Sequence, residues 1–143
     1  GPLYVHPEGI VKRTHFHTMA MYANLLEANV ASAKIDSDRL THGPSSVAMV
    51  DAIATMDESG KNWSVAIMNR HPSNEVTCTL KMGDLPLDGT YRATVLTGDS
   101  PDAYNDIRNS NRVAPQEMML TFKEGRTSLP PHSLVIVEGR LKK

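Results

Sequence analysis

Apolar and polar residues recur along this chain with two different periods, and the change falls near residue 30. From His15 to Ala28 the period is helical: Phe16, Met19, Ala20, Ala23 and Leu26 form one apolar stripe. Thr14 is placed to cap this helix, its hydroxyl accepting a hydrogen bond from a free first-turn N–H. Asn29 suits the exit, where a left-handed residue is often needed. Met21 and Leu25 fall on the side opposite the stripe, so the helix is apolar on nearly all faces. Such a helix wants partners on more than one side. The pattern predicts that it packs partly against something outside this chain.

From residue 31 to 138 the period is two. Val76, Cys78, Leu80 and Met82 share one face of a strand, and Glu75, Thr77, Thr79 and Lys81 the other. Trp63, Val65 and Ile67 share a face in the strand before it. Val47 to Met56 reads as one longer strand. Tyr91, Ala93 and Val95 align, as do Met118, Leu120 and Phe122, and Leu134 with Ile136. Gly60 and Gly125 stand in short connections, where they can supply the positive φ of tight hairpins. Seven or eight such strands predict an antiparallel, jelly-roll-like β-sandwich carrying one N-terminal helix. One connection is long: Gly98 to Pro115 shows no strand pattern. Within it Ser100 to Asn105 reads as a single helical turn, capped by Ser100 and begun by Pro101. A connection this long in a compact domain is often functional or docked on a neighbour.

Composition narrows the function more than the fold. The chain has 143 residues, with 15 basic and 16 acidic side chains. Only Lys12-Arg13 and the tail Arg140, Lys142 and Lys143 are locally basic, too little for a nucleic-acid footprint. The tail reads as a solvated terminus. No apolar run approaches the ~18 residues of a membrane span, and no signal peptide is visible. Gly1-Pro2 has the look of a tag-cleavage remnant, so the missing signal carries little weight. The sequence reads as soluble and does not separate a cytoplasmic from a secreted location. The single cysteine, Cys78, excludes an internal disulfide and reads as a small core residue.

No catalytic constellation stands out. No phosphate-binding glycine loop and no G-x-S-x-G elbow occur. His15 and His17 lie two apart, on different sides of a helix, so one metal ion cannot readily take both. His6, His42, His71 and His132 lie in separate turn segments. No metal site and no cofactor are expected. Asp57, Glu58, Asp84, Asp88, Asp99, Asp102 and Asp106 read as turn and cap carboxylates. A sugar-binding platform would need exposed aromatic rings. Trp63 alternates with core residues, which leaves Tyr4 and Tyr104, in irregular segments, as the rings open to display.

Several runs carry a resemblance. Val50 to Thr55, Val65 to Pro72 with Asn69-Arg70-His71-Pro72, and Leu96 to Asp106 with Val113 and Pro115 after it are similar to the C-terminal part of glycoside hydrolase family 51 α-L-arabinofuranosidases. Leu129 to Leu134 fits the same pattern, and Gly1 to Arg13, with His6-Pro7-Glu8-Gly9, resembles the segment leading into that family's last barrel helix. The resemblance covers essentially the whole chain. It implies a (β/α)₈ barrel followed by a β-sandwich. Residues 1–30 would be the barrel's last loop and helix, and 31–143 the sandwich domain. The helix would then be apolar all round because its barrel partners are missing.

The family acts with retention through two glutamates on upstream barrel strands, and no residue here matches either motif. The resemblance therefore implies a glycosidase parent that releases arabinose from arabinoxylan or arabinan side chains, and a structural, inactive fragment. Barrel active sites lie on the βα loops, so Tyr4 and His6 are the candidates for bordering the sugar pocket of the intact enzyme. The missing barrel is the implied partner, with arabinose-containing polysaccharide reached through it. That family's sandwich also borrows a strand from the distant N-terminus, whose absence would leave a sheet edge able to pair with a second copy. The competing readings are a non-catalytic carbohydrate-binding module, an interaction sandwich, and the tail of a related glycanase.

Overall fold

A computed structural model of the chain describes residues 1–141; Lys142 and Lys143 of the basic tail lie outside the described residues. The chain opens with β1 (Leu3–His6) and β2 (Gly9–Lys12), then α1 (Thr14–Leu25). The strands that follow are β3 (Asn29–Val30), β4 (Arg39–His42), β5 (Ser45–Ala48), β6 (Val50–Met56), β7 (Asn62–Asn69), β8 (Val76–Thr79), β9 (Lys81–Met82) and β10 (Leu85–Pro86). The last four are β11 (Gly89–Leu96), β12 (Gln116–Phe122), β13 (Arg126–Leu129) and β14 (Ser133–Arg140).

A six-stranded antiparallel sheet, in the order β12-β11-β14-β7-β6-β3, forms the frame. Its inner face presents Trp63, Val65 and Ile67 from β7, Ala93 and Val95 from β11, and Val135 and Val137 from β14. Cys78 of β8, Leu80, Met82 of β9, Leu87 and Leu129 of β13 pack against them and form the second layer. The alternation in β8 therefore points Cys78 inward as its sequence pattern predicts, and burial raises its thiol pKa. Each fully buried Val or Ile of this face contributes about 1.5–3 kcal/mol. Trp63 sits opposite Gly139, and a side chain at 139 would collide with the indole ring.

The outer face is covered differently. Ala66, Leu134, Ile136 and Leu96 meet Met21, Leu25 and Leu26 of the helical segment, together with Val113 and Ala103 of the long connection. Strands β7 and β14 are thus buried on both sides, which is why Leu134 to Val137 reads as a continuous apolar run. The two turns that set the register follow from backbone chirality. Glu124 and Gly125 have φ of 51° and 82°, the pair of positive values a two-residue hairpin needs. Between β6 and β7, Asp57 accepts hydrogen bonds from the Ser59 hydroxyl, the Lys61 and Asn62 N–H groups and Asn62 Nδ2. The Asn62 side-chain bond, more than any other contact, holds its carboxyl at about 2.

Four local expectations are corrected. The helix is capped by the extended Arg13 without any side-chain bond, so Thr14 is its first residue and not its cap. It ends at Leu25, and Asn29 pairs with Met56 as strand instead of providing a left-handed exit. The Val47-to-Met56 run breaks at Met49: β5 leaves to pair with β4, while β6 joins the large sheet. Ser100 to Asn105 is a turn and not helical, although Ser100 Oγ does accept from Asp102 N at 3.1 Å and Ala103 N bonds Ser100 O. The turn-rich opening of the chain is also more ordered than its composition suggests, since β1 and β2 pair over four residues each.

Candidate functional site

Two buried asparagines organise the loops at one end of the sheet, and both come from the sequence runs that carry the family resemblance. Asn105, 4% exposed, accepts Val113 N at 2.7 Å and donates to Val113 O at 2.7 Å. Its Nδ2 also reaches Lys12 O at 2.9 Å. One amide thus closes the 98–115 connection on itself and ties it to the β1–β2 hairpin. Asn69, 1% exposed, ends β7 and donates to Asn74 O and Pro130 O while accepting His71 N. Apart from Lys12 O, at the end of β2, these carbonyls and N–H groups lie in loops with no ladder partner, so the side-chain amides satisfy what a sheet would otherwise satisfy.

Two further polar residues fix the helix. Ser64, fully buried on β7, donates to Leu25 O at 2.7 Å, and Thr55 Oγ1 accepts Glu27 N at 2.9 Å. The sheet therefore caps the C-terminal end of α1. The helix turns Met21 and Leu25 to the sheet and leaves Met19 61% exposed. Its sheet-facing side is thus the one opposite the predicted stripe. Small and β-branched residues under the helix explain this choice: Ala66 and Ile53 give a flat bed into which Met21 and Leu25 fit. His17 is the misfit. Its Nε2 is buried without a hydrogen-bond partner among the described residues. Burial, and secondly Lys12, push its imidazole below the ordinary value, which favours the neutral ring.

Two depressions flank the start of α1. The larger, about 320 Å³, runs between Thr14 and Thr18 of the helix and the Leu96–Ala103 and His132–Leu134 segments. Most of its polar groups are consumed by the fold. Arg70 bonds Ala48 O and the Asp51 carboxylate, Thr97 bonds Pro131 O, and Ser133 bonds Pro130 O. His132, at a positive φ of 39°, holds its two ring nitrogens 2.8 Å from Pro72 O and Gly98 O. The smaller, about 270 Å³, is lined by Arg13, Thr14, His15, Tyr104 and Asn105. Neither depression has an aspartate or glutamate in its lining. Neither lining therefore presents the pair of carboxylates that most glycosidases use.

Tyr4 and His6, the candidates from the sequence, lie on one face of the β1–β2 hairpin with ring centroids 6.0 Å apart. Tyr4 is 39% exposed and carries the Arg13 guanidinium 5.6 Å above its ring. His6 Nδ1 accepts Glu8 N and so braces the hairpin turn. Sequence reasoning missed Arg13, which links Tyr4 to the smaller depression, and missed Ser64 and Thr55. The signal for Ser64 was present: a polar residue on the outer face of a strand that is otherwise apolar on both faces.

The fold is an antiparallel β-sandwich whose outer face carries one docked helix and a long locked connection. Residues 1–133 match the alpha-L-arabinofuranosidase C-terminal domain, and the chain belongs to that family. Solved structures agree on the fold. The chain is similar to the alpha-L-arabinofuranosidase from Thermotoga maritima, solved as an arabinose complex, with TM-score 0.83 and 21% identity over 99% of this chain and 32% of that one. It is similar to the GH51 alpha-L-arabinofuranosidase from Thermotoga petrophila RKU-1, with TM-score 0.85 and 18% identity over 97% and 31%. It is also similar to AbfB, a family 51 alpha-L-arabinofuranosidase from Bifidobacterium longum, with TM-score 0.82 and 22% identity over 99% and 28%. The chain thus spans about a third of the length of these proteins. No curated protein sequence is significantly similar to it.

Proposed function

We propose that this chain is the supporting C-terminal part of a retaining α-L-arabinofuranosidase, with residues 1–30 completing a barrel and residues 31–143 forming the sandwich that carries it. The observation behind this reading is the two-sidedness of the opening segment. One side of α1 is fixed to the sheet through Met21, Leu25 and the Ser64 cap. The side turned away exposes Met19 and Tyr22, and the hairpin exposes Val5 and Ile10, at 72% and 65%, as a cross-strand pair. Apolar surface gathered on one segment in this way marks a contact with another body, and a barrel is the body its family context supplies.

The catalytic glutamates then belong to the barrel, and arabinose-bearing polysaccharide is the substrate of the whole protein. Tyr4 and His6 stand on the connector that leads from barrel to helix, so they are the residues of this chain placed to border its sugar pocket. The test is hydrolysis of an aryl α-L-arabinofuranoside. The chain alone is expected to release no phenol, and the same chain continuous with a barrel bearing two strand-end glutamates is expected to turn it over. Turnover by the isolated chain overturns the reading.

Self-association is a second reading with its own observation. Strand β3 pairs with β6 only at Thr55 and Met56. Among the described residues the Val50-to-Ala54 stretch of β6 has no strand on this side, although Val50 N and Ala52 N already bond Ser37 Oγ and Asp51 Oδ1 and would have to exchange these for a partner. Light scattering of the chain reads this directly: a dimer supports strand addition at this edge, and a monomer removes it.

A further inference from the structure

The two depressions beside the start of α1 differ in one respect that bears on ligands. In the larger, nearly every polar side chain is spent on a loop carbonyl or an ion pair. In the smaller, among the described residues, the Arg13 guanidinium, the His15 ring and the Thr14 and Tyr104 hydroxyls make no hydrogen bond to the chain. Polar groups left free around a concave surface are what a ligand site requires.

The surface also has a ring to stack on. Tyr104 is 62% exposed, yet the residue after it, Asn105, is buried and bonded to Lys12 O and Val113. The ring is therefore displayed from a fixed backbone, which limits the ordering cost of binding. Arg13 is fixed in turn, since its guanidinium lies over the Tyr4 ring. The site thus offers one aromatic face, a forked donor, an imidazole and two hydroxyls, with no carboxylate in its lining.

We infer that the cleft formed by Tyr104, Arg13, Thr14 and His15 binds a sugar residue of an arabinose-bearing chain. The ring's C–H face would stack on Tyr104, and its hydroxyls would be held by Arg13 and His15. This rests on the proposed glycosidase context and deepens it. In a βα unit the helix begins on the face where the strand ends, which is the face that binds substrate in such barrels. In that proposed context the start of α1, and with it this cleft, belongs to the substrate-binding side. The sandwich thereby contributes Tyr104 to substrate capture.

The experiment is calorimetric titration of the chain with linear arabinotriose, with inorganic phosphate as a parallel probe. Amide shifts at Arg13, His15 and Tyr104 serve as the site-resolved readout. Trp63 is buried, so its fluorescence would not report this surface. Saturable binding with shifts confined to these residues is expected. Tyr104→Ala is expected to weaken it by about tenfold, the scale of one lost aromatic contact. Because the ring is largely exposed, that variant should keep its unfolding midpoint. Met19→Ser should bind as the parent does. A flat titration, unchanged affinity in Tyr104→Ala, or phosphate competing for the same shifts each overturns the sugar site. None of these outcomes touches the aryl-arabinofuranoside test, so the two readings fail separately.

Discussion

The two faces of the six-stranded sheet are held by different physics. The inner face is a dry stack of apolar side chains, Trp63, Val65, Ile67, Val135 and Val137 against β8, β13 and their neighbours. The outer face is a thin apolar strip crossed by buried hydrogen bonds from Ser64, Thr55 and Asn105. Apolar contact is non-directional and tolerates small displacements. A buried amide bond has one geometry and is costly when broken. The inner face therefore stabilises the sandwich, and the outer face specifies where the helix, hairpin and long connection sit.

The largest expected effect strikes the inner face. Trp63→Ala removes the ring that spans β7 and lies on Gly139, and should cost about 3–5 kcal/mol in chemical denaturation. Asn105→Ala should cost somewhat less, about 3 kcal/mol, by leaving two carbonyls and one N–H without partners. It should do so unevenly: hydrogen exchange in the hairpin and the 98–115 connection should rise while β7 and β14 stay protected. Equal loss of protection across the sheet would show that the two faces are not separable.

A pH experiment sharpens the contrast, because Asp57 belongs to the turn that both faces share. Its carboxyl is held at about 2, below its ordinary 3.8, so the folded state binds its proton more weakly than the unfolded chain does. Its contribution is complete above pH 4 and is lost as the pH falls from there toward 2. Asp57→Asn should lower stability at neutral pH, where the ionised carboxylate contributes fully, and should flatten the acid limb so that variant and parent converge toward pH 2, as thermal melts between pH 2 and 7 would reveal. The smallest effect is Met19→Ser on the bare side of α1. It should change stability by no more than about 0.5 kcal/mol while reducing binding of a hydrophobic dye.

The inner face was legible because period-two alternation is a direct image of burial. Trp63-Val65-Ile67 and Tyr91-Ala93-Val95 fall where that pattern puts them. The helix was legible as a helix, yet its orientation was not. Apolar residues ring it on nearly all sides, and only the bed of Ala66 and Ile53 selects Met21 and Leu25. The break at Met49 was hidden for a related reason: Val47 to Met56 keeps one hydrophobic texture across two sheets. The asparagine locks carry no periodicity at all, since their partners lie up to 93 residues away. The family resemblance located those runs without explaining them; their geometry supplies the reason. Of the candidate site, Tyr4, His6 and Tyr104 were visible as rings in irregular segments. Arg13 was hidden because its role depends on a stacking contact made through folding.

The Asn105 bond to Lys12 also sets an order of events during synthesis. The hairpin and helix leave the ribosome before the sheet does, and the amide that latches the hairpin follows 93 residues after Lys12. Until then the hairpin lacks this tether, while Thr55 and Ser64, made earlier, already offer the end of the helix its bonds to the sheet. Locking of the hairpin is therefore a late step, governed by completion of the long connection.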